Sequence, residues 1–185
     1  MIFTEQKIAQ MAAFFLIRRG GRMSYLKLLK LLYLADRESM SRYGESMSAD
    51  NHYSMPHGPV LSQTLNLITG QTDSPAWRDM IYPCENHEVA LTHADFTPEE
   101  LDQLSTADIE ILDEVWQQFG HMKRFELVEY THEHLPEWVD PRGSSRPINP
   151  RATFAALGYN PEQAEVLAQN IFERKALGRV LSDLI

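Results

Sequence analysis

The stretch that decides the fold runs from Lys27 to Ile68 and reads KLLKLLYLADRESMSRYGESMSADNHYSMPHGPVLSQTLNLI. Its first half repeats leucine at the three- and four-residue spacing of a helix that packs against a core. We expect Ser24 to cap this helix at its start. The pair Tyr43-Gly44 is expected to close it, because glycine is common just past the end of a helix.

The second half of the stretch carries the turn His57-Gly58-Pro59-Val60. Proline is tolerated in the first turn of a helix, so we expect the next helix to occupy residues 60–68. Glycine permits unusual backbone dihedrals, and the imidazole of His57 would stand beside a helix N-terminus. The turn is either a recognition element for a polar partner group or simply the start of the helix. It offers shape rather than a catalytic set, which favours a binding module over an enzyme.

Capping signals mark further helices on either side of this stretch. Thr4 can cap a first helix that ends at Gly20-Gly21. The capping box from Thr97 to Glu100 predicts another helix start. The remaining predicted helices run from Ser105 or Thr106 to Gly120, from Phe125 to His134, from Asn149 to Leu157, and from Asn160 onward. The last of them has a mostly apolar stripe, formed by Leu167, Ile171, Arg174, Leu177, Leu181 and Leu184.

One region is typical of a β-hairpin. Apolar clusters at residue 77, residues 80–82 and residues 89–91 surround turn-prone residues 83–87. Residues 46–55 have room for a short strand, and the proline-rich residues 140–150 are predicted to form a loop. We therefore predict a mainly α-helical fold, a single compact domain over residues 1–185 with a small β-hairpin or short-strand element.

Composition limits the classes of function. The chain has 185 residues, of which 43% are hydrophobic, and a formal net charge of −9. Such a charge disfavours a general nucleic-acid binder, because affinity for phosphates comes from clustered lysine and arginine. The acidic balance is either that of an ordinary globular protein or an acidic face that captures a basic partner.

Cys84 is the only cysteine, so no intramolecular disulfide can form and a reducing compartment is expected. We therefore expect a cytoplasmic protein. The apolar run from Met11 to Ile17 is too short to span a bilayer and lacks a preceding basic segment, so neither a membrane anchor nor a signal peptide is expected.

Histidines invite a metal hypothesis, particularly His132-Glu133-His134 with Cys84, His87 and His93 elsewhere. Helix geometry places residues i and i+2 about 200° apart, so His132 and His134 cannot readily share one metal ion on a helix. We expect no metal and no cofactor. A metal-dependent hydrolase that uses His132, Glu133 and His134 stays open as the enzyme alternative, although no nucleophile elbow or phosphate loop is present.

Basic residues supply a third alternative. On the leucine-rich helix Lys27, Lys30 and Arg37 fall on another side from the leucines and are interpreted as a solvated face. Together with Arg18, Arg19 and Arg22 the two lysines could bind nucleic acid, although the net charge argues against direct nucleic-acid binding.

Ordered motifs over roughly residues 24–157 resemble a known family. The helix motif Lys-Leu-x-Lys-Leu-Leu-Tyr-x-Ala-Asp is matched from Lys27 to Asp36, and a Gly-Pro-Val turn follows at residues 58–60. Further matching segments lie at residues 119–120, 126–127, 131–132 and 136–138. On these residues the chain resembles the Panacea-domain family, also called SocA-like or phage-associated GepA-like proteins. Many members carry Trp and Tyr before Gly-Pro-Val, where this chain has Met55 and His57, and Glu137 here separates Pro136 from Trp138.

The resemblance implies a largely α-helical antitoxin of a bacterial toxin–antitoxin pair, of prophage-associated type. Its partner would be a cognate toxin that it neutralises by direct binding. The resemblance also supplies an alternative, a proteolytic adaptor that delivers the toxin to a Clp protease. Neither role requires catalysis, and the oligomeric state stays open.

The candidate partner-binding surfaces are the turn at residues 52–59, residues 131–138 together with the loop at residues 140–150, and the terminal helix. Aromatic and large planar side chains tend to dominate interface energy. The alternative for each is a core or capping role, which is the favoured interpretation for the tryptophan. The candidates are Tyr53, His57, Gly58, Pro59, His132 and Trp138.

Overall fold

The computed structural model describes residues 2–182. Within that range the fold is mainly α-helical, as predicted, and its strands are short. The helices are α1 (Glu5–Arg19), α2 (Tyr25–Tyr43), α3 (Ser62–Ile68), α4 (Pro75–Arg78), α5 (Thr106–Phe119), α6 (Arg124–His134), α7 (Pro150–Ala156) and α8 (Pro161–Ser182). The strands are β1 (Arg22–Ser24), β2 (His52–Met55), β3 (Gly58–Leu61), β4 (Ile81–Cys84), β5 (Glu88–Leu91) and β6 (Arg146–Pro147).

The strands form two antiparallel sheets of three strands each. One sheet has the order β1-β5-β4 and contains the predicted hairpin, with Ile81 opposite Leu91 and Cys84 opposite Glu88. The other has the order β3-β2-β6, with Met55 opposite Gly58. The sheet content is larger than the single element that we predicted, because β1 and β6 are edge strands of two or three residues whose pairing partners are distant in sequence.

Helix α2 lies at the centre of the core. Its leucines are buried, and so is Tyr33, which is fully inaccessible. Helices α1, α5 and α6 pack against it, as does strand β3. The helix ends as predicted at Gly44, which adopts a left-handed backbone conformation and donates to the carbonyl of Met40. Ser24 precedes the first residue but its hydroxyl makes no capping hydrogen bond, so that part of the prediction was wrong.

The basic side chains of α2 do not form a solvated face, and this interpretation was wrong. Lys27 is 8% exposed and its Nζ donates to the carbonyls of Gly120 and Met122, at 2.6 and 2.8 Å. Lys30 is completely buried. Arg37 pairs with Glu137 through Nε, at 2.6 Å from Oε1. Each cation reaches a partner from another element, which the helix sequence alone does not reveal.

Pro59 is not in the first turn of a helix, as we had predicted. It lies in β3 opposite Ser54, and α3 begins only at Ser62. The apolar residues 60 and 61 belong to the strand, where both are buried. Short apolar runs of this kind do not distinguish a strand from a buried helix start.

Other capping predictions had mixed outcomes. Thr4 caps α1 by accepting from the backbone N–H of Lys7 at 3.3 Å, and Asn149 caps α7. The capping box at Thr97 forms, but it opens only a single 3₁₀ turn over Pro98–Glu100. Trp77, which we placed in the hairpin region, lies buried in the short helix α4 instead.

Helix α8 packs its first half against α7 and leaves much of its second half exposed. Ala164, Ala168 and Ile171 are buried, whereas Leu177 is 60% exposed and Leu181 is 47% exposed. The predicted apolar stripe is therefore buried only at its start, and Leu184 lies outside the described residues. None of the helices within residues 2–182 is both long and apolar enough to cross a bilayer.

Candidate functional site

The hairpin of β2 and β3 is joined to the segment that follows α6, and we call the two together the hairpin surface (residues 52–61 and 132–140). The indole Nε1 of Trp138 donates to the carbonyl of Met55 at 3.0 Å. One residue later, the backbone N–H of Val139 donates to Ser54 Oγ at 3.2 Å. The indole also stacks on His132, with ring centroids 3.9 Å apart and planes 14° from parallel. These contacts fix the position of the hairpin tip.

Gly58 sits where the hairpin approaches the helices most closely. Its φ is +93°, in the left-handed region, and a Cβ built there would lie 2.5 Å from Thr131 Oγ1. It would also lie 3.1 Å from the Cε and Nζ atoms of Lys30. Only glycine meets both conditions, since it has no Cβ and tolerates positive φ. The glycine of the Gly-Pro-Val turn is therefore a packing requirement of this site.

Lys30 lies directly beneath that turn. Its Nζ donates to the carbonyl of Pro59 at 2.8 Å, and the side chain is fully buried. Burial lowers the pKa of Lys30 to about 7, because removal from water penalises the charged form. Lys30 therefore connects α2 to the hairpin through one hydrogen bond. Its ammonium group also loses its proton more readily than that of an exposed lysine.

Lys30→Met is expected to change how stability depends on pH. In the unfolded chain Lys30 has a pKa of about 10.4, so between pH 7 and 10 the unfolded state binds more protons than the folded state. Wild-type stability should therefore rise with pH across that window relative to Lys30→Met, and the difference should level off below pH 7. Urea unfolding at pH 6, 8 and 9.5 measures it.

The exposed Lys123 provides a matched control, since Lys123→Met removes a lysine without removing a buried ammonium. This variant should follow the wild-type pH profile. Parallel profiles for wild type and Lys30→Met would contradict the assignment of a low pKa to Lys30.

The histidine of the stack lies in a basic environment. His132 Nε2 is buried and has no hydrogen-bond partner among residues 2–182. Burial is the main cause that lowers the pKa of His132, and the positive charges of Lys30 and His57 lower it further, while Asp140 opposes them. His57 is exposed at the tip, whereas Lys30 and His132 lie beneath it, where burial lowers the pKa of both side chains.

A second polar cluster lies behind the hairpin. The carboxylate of Asp36 is fully buried and contacts Nε2 of His52 at 2.6 Å. It also accepts from the Ser46 hydroxyl and from the backbone N–H of Ser48, both at 2.7 Å. Burial by itself raises the pKa of Asp36, but the hydrogen bond and charge of His52, with the two further donors, outweigh burial and lower it.

Glu137 completes the buried polar network. It accepts from Arg37 Nε at 2.6 Å and from the hydroxyl of Tyr33 at 3.2 Å, and its side chain is fully buried. Burial raises the pKa of Tyr33 well above its usual value, and the negative charge of Glu137 raises it further. The residue that separates Pro136 from Trp138 in this sequence therefore anchors the hairpin-supporting segment to α2.

The structure brings five of the six candidate residues together. Gly58, Pro59, His132 and Trp138 form the packed base of the hairpin tip, and His57 is exposed at the tip itself. Tyr53 lies farther along β2, opposite Val60 and Pro147. Sequence reasoning missed the buried polar residues that support this surface, which are Lys30, Asp36 and Glu137. One signal was available, because Lys30 and Asp36 are charged residues inside the leucine-rich helix.

The histidines proposed for a metal site have separate neighbours. His132 stacks on Trp138, whereas His134 stacks on Tyr130 and its Nδ1 contacts the Tyr130 carbonyl at 3.1 Å. Within residues 2–182, no three histidine, cysteine, aspartate or glutamate side chains are arranged to hold a metal ion. No geometric support is therefore found for the hydrolase alternative in the described part of the chain.

A family model described as "Antitoxin SocA-like, Panacea domain" matches residues 28–139. The chain belongs to this family. The matched segment begins in α2 and ends at Val139, so it contains the hairpin, α6 and the Trp138 segment, and leaves out α1, α7 and α8. No curated protein and no solved structure gives a significant match to the chain.

The segment that matches the family model contains nearly all of the hairpin surface. The nucleic-acid alternative fits these elements poorly, because Lys27 and Lys30 are buried. Two of the arginines invoked for it are engaged in ion pairs, Arg18 with Asp113 and Arg22 with Glu88.

Proposed function

We propose that this Panacea-domain protein is the antitoxin of a bacterial toxin–antitoxin pair and neutralises its toxin by direct binding. The observation that carries the proposal is the family match over residues 28–139. A binding role agrees with the site, where the buried polar groups bond to one another and stabilise a surface. Stoichiometric masking of a toxin needs no covalent chemistry.

The hairpin surface is the proposed contact region. His57 projects at its tip, and Val139 and Asp140 are exposed beside it. The stacked pair His132 and Trp138 supports that tip from below, so we assign Trp138 mainly to holding the surface in shape. The exposed imidazole of His57 can donate a hydrogen bond to an acceptor group on the toxin.

His57→Ala is expected to weaken binding of the toxin without unfolding the antitoxin. A true interface anchor costs about 2 kcal/mol or more on truncation, which corresponds to roughly 30-fold in Kd. The exposed imidazole makes no hydrogen bond in the described structure, so Tm should stay within about 1 °C of wild type. Calorimetric titration of toxin and thermal unfolding measure the two effects.

His121→Ala is the matched control, since His121 is also an exposed histidine but lies after α5, away from the hairpin. It should leave both Kd and Tm unchanged. Equal toxin affinity for His57→Ala and wild type would remove His57 from the interface.

The function itself is tested by co-expression. This gene and each of its immediate neighbours are induced alone and together, with a pull-down on the tagged protein. Growth arrest by a neighbour, rescued with a stable complex, is the expected result. Rescue without a stable complex and with loss of the neighbour's protein would replace masking by delivery to a Clp protease. Harmless neighbours that do not co-purify would contradict the antitoxin assignment.

A further inference from the structure

The ring of His52 is hydrogen-bonded on one side only. The residue is 7% exposed, and its Nε2 lies 2.6 Å from the carboxylate of Asp36. The ring also packs against Tyr33, with ring centroids 5.0 Å apart. Nδ1, in contrast, has no hydrogen-bond partner among residues 2–182. It is not one of the fully enclosed side-chain atoms that lack a partner in that range, so it keeps some accessible surface.

The space beside His52 is a groove between β2, β6 and α8. It has a volume of about 260 Å³. Ligand pockets usually have roughly 300–1,000 Å³, so this groove suits a single ring rather than a larger molecule. Much of its wall is apolar or aromatic and is formed by Tyr53, Pro147, Ile148, Ile171 and Phe172. An aromatic molecule would therefore have ring partners in the groove.

The two ionised side chains that line the groove, Lys175 and Asp50, already have partners. Lys175 donates from Nζ to the carbonyl of Asp50 at 2.7 Å and to Asn51 Oδ1 at 3.0 Å. The carboxylate of Asp50 accepts from the backbone N–H groups of Gln63 and Thr64, both at 2.9 Å. Removing an ion from water is costly without a free group of opposite charge. The groove therefore favours an uncharged occupant.

The tautomer of His52 determines which hydrogen bond the groove offers. Burial opposes ionisation of Asp36, but the hydrogen bonds from His52, Ser46 and the Ser48 N–H outweigh burial and lower its pKa. The carboxylate is thus ionised at neutral pH and only accepts, so Nε2 of His52 carries a hydrogen. In a neutral imidazole the other nitrogen is then an acceptor. Nδ1 of His52 therefore offers a lone pair to the groove.

We propose that the groove beside His52 binds a small uncharged aromatic molecule whose hydroxyl or N–H group donates to Nδ1. The hydrogen bond to Asp36 holds the imidazole in the orientation and tautomer that this contact requires. Tyr53 and Phe172 supply the ring contacts. The site is separate from the hairpin tip, and the proposal does not rest on the toxin-binding role.

The probes for the test are 4-methylphenol and 4-methylanisole, which share a ring but differ in the donor hydroxyl. Each is titrated by NMR into the ¹⁵N-labelled full chain at pH 8. With 4-methylphenol, amide signals of residues 51–53, 148–149 and 171–172 should shift, with a Kd of roughly 1 mM for so small a ligand. 4-Methylanisole should bind roughly tenfold more weakly, because it cannot donate the hydrogen bond. The ¹⁵N signal of His52 Nδ1 should move with 4-methylphenol only.

His52→Phe keeps an aromatic ring but removes the acceptor, so it should bind the two probes with equal affinity. The matched control His121→Phe, at an exposed position after α5, should keep the tenfold preference. Phe172 is 46% exposed and lines the groove, so Phe172→Ala should weaken both probes alike. Phe125→Ala, at another exposed phenylalanine, should weaken neither. The ring signal of His52 and the Phe172 variant decide the question if His52→Phe does not fold.

The proposal is overturned if no localised shifts appear, or if the wild-type protein binds the two probes alike. A preference for 4-methylphenol that persists in His52→Phe also overturns it, because the hydroxyl would then have another acceptor. Unchanged affinity in Phe172→Ala, or an Nδ1 signal that does not move with 4-methylphenol, has the same consequence, since the probe would then bind outside this groove or without the imidazole.

Discussion

Gly58→Ala is expected to be among the most destabilising single substitutions in this protein, with a loss of about 3 kcal/mol. The left-handed backbone at φ +93° costs a side chain about 1–2 kcal/mol. The new Cβ would lie 2.5 Å from Thr131 Oγ1 and 3.1 Å from Lys30 Nζ, and such overpacking adds roughly 1–3 kcal/mol. In a chain of this size Tm should fall by roughly 6–12 °C, measured by thermal unfolding.

A matched glycine separates the two causes. Gly158 has φ +91°, nearly the same backbone conformation, but a Cβ there would meet no atom within 4 Å. Gly158→Ala should therefore show the backbone cost alone, about 1–2 kcal/mol. If the two variants lose equal stability, the contact of the hairpin with Thr131 and Lys30 is not tight, and the packing role assigned to Gly58 is wrong.

The same substitution connects packing to the proposed function. A shift of the hairpin away from Thr131 would also move Pro59, whose carbonyl accepts from Lys30 at 2.8 Å. The hydrogen bond of the Trp138 indole to Met55 would then have to lengthen or break. We therefore expect Gly58→Ala to weaken toxin binding in proportion to its loss of stability, unlike His57→Ala.

Local signals in the sequence were sufficient to predict much of the helical framework. The N-cap at Thr4, the left-handed C-cap at Gly44 and the proline start of α7 each depend on a few adjacent residues. The β4–β5 hairpin is local in the same sense. Such features are decided by short-range hydrogen bonds and backbone preferences, so they can be recognised without knowledge of the tertiary fold.

Features that depend on distant partners could not be predicted. Lys27 and Lys30 were interpreted as solvated because a helix pattern does not show that backbone carbonyls of residues 120 and 59 will cover them. Strand β6 exists only because it pairs with β2, about ninety positions earlier in the chain. For the candidate site, the sequence offered the Gly-Pro-Val turn and Trp138 as candidates, but it did not indicate the buried polar side chains that pack behind them.

Asp36→Ala is expected to cost about 3–5 kcal/mol, because it removes a buried carboxylate and leaves its buried hydrogen-bonding partners unsatisfied, at about 1–3 kcal/mol each. It would leave His52 Nε2 and the Ser48 N–H without their acceptor, at present 2.6 and 2.7 Å away. Urea unfolding measures the loss. For comparison, Asp113→Ala breaks the more exposed ion pair with Arg18 and should cost at most about 1 kcal/mol. Similar losses for the two variants would contradict a central role for the Asp36 cluster.

The isosteric variant Asp36→Asn tests the charge by its effect on acid denaturation. Since the folded-state pKa of Asp36 is lowered, its ionised form stabilises the protein above the unfolded pKa of about 3.9. That contribution is lost as the pH falls through the lower folded-state pKa. Wild type should therefore lose more stability than Asp36→Asn between pH 5 and 2. Parallel acid profiles would show that the cluster is held by hydrogen bonds alone, without net stabilisation from the ionised carboxylate.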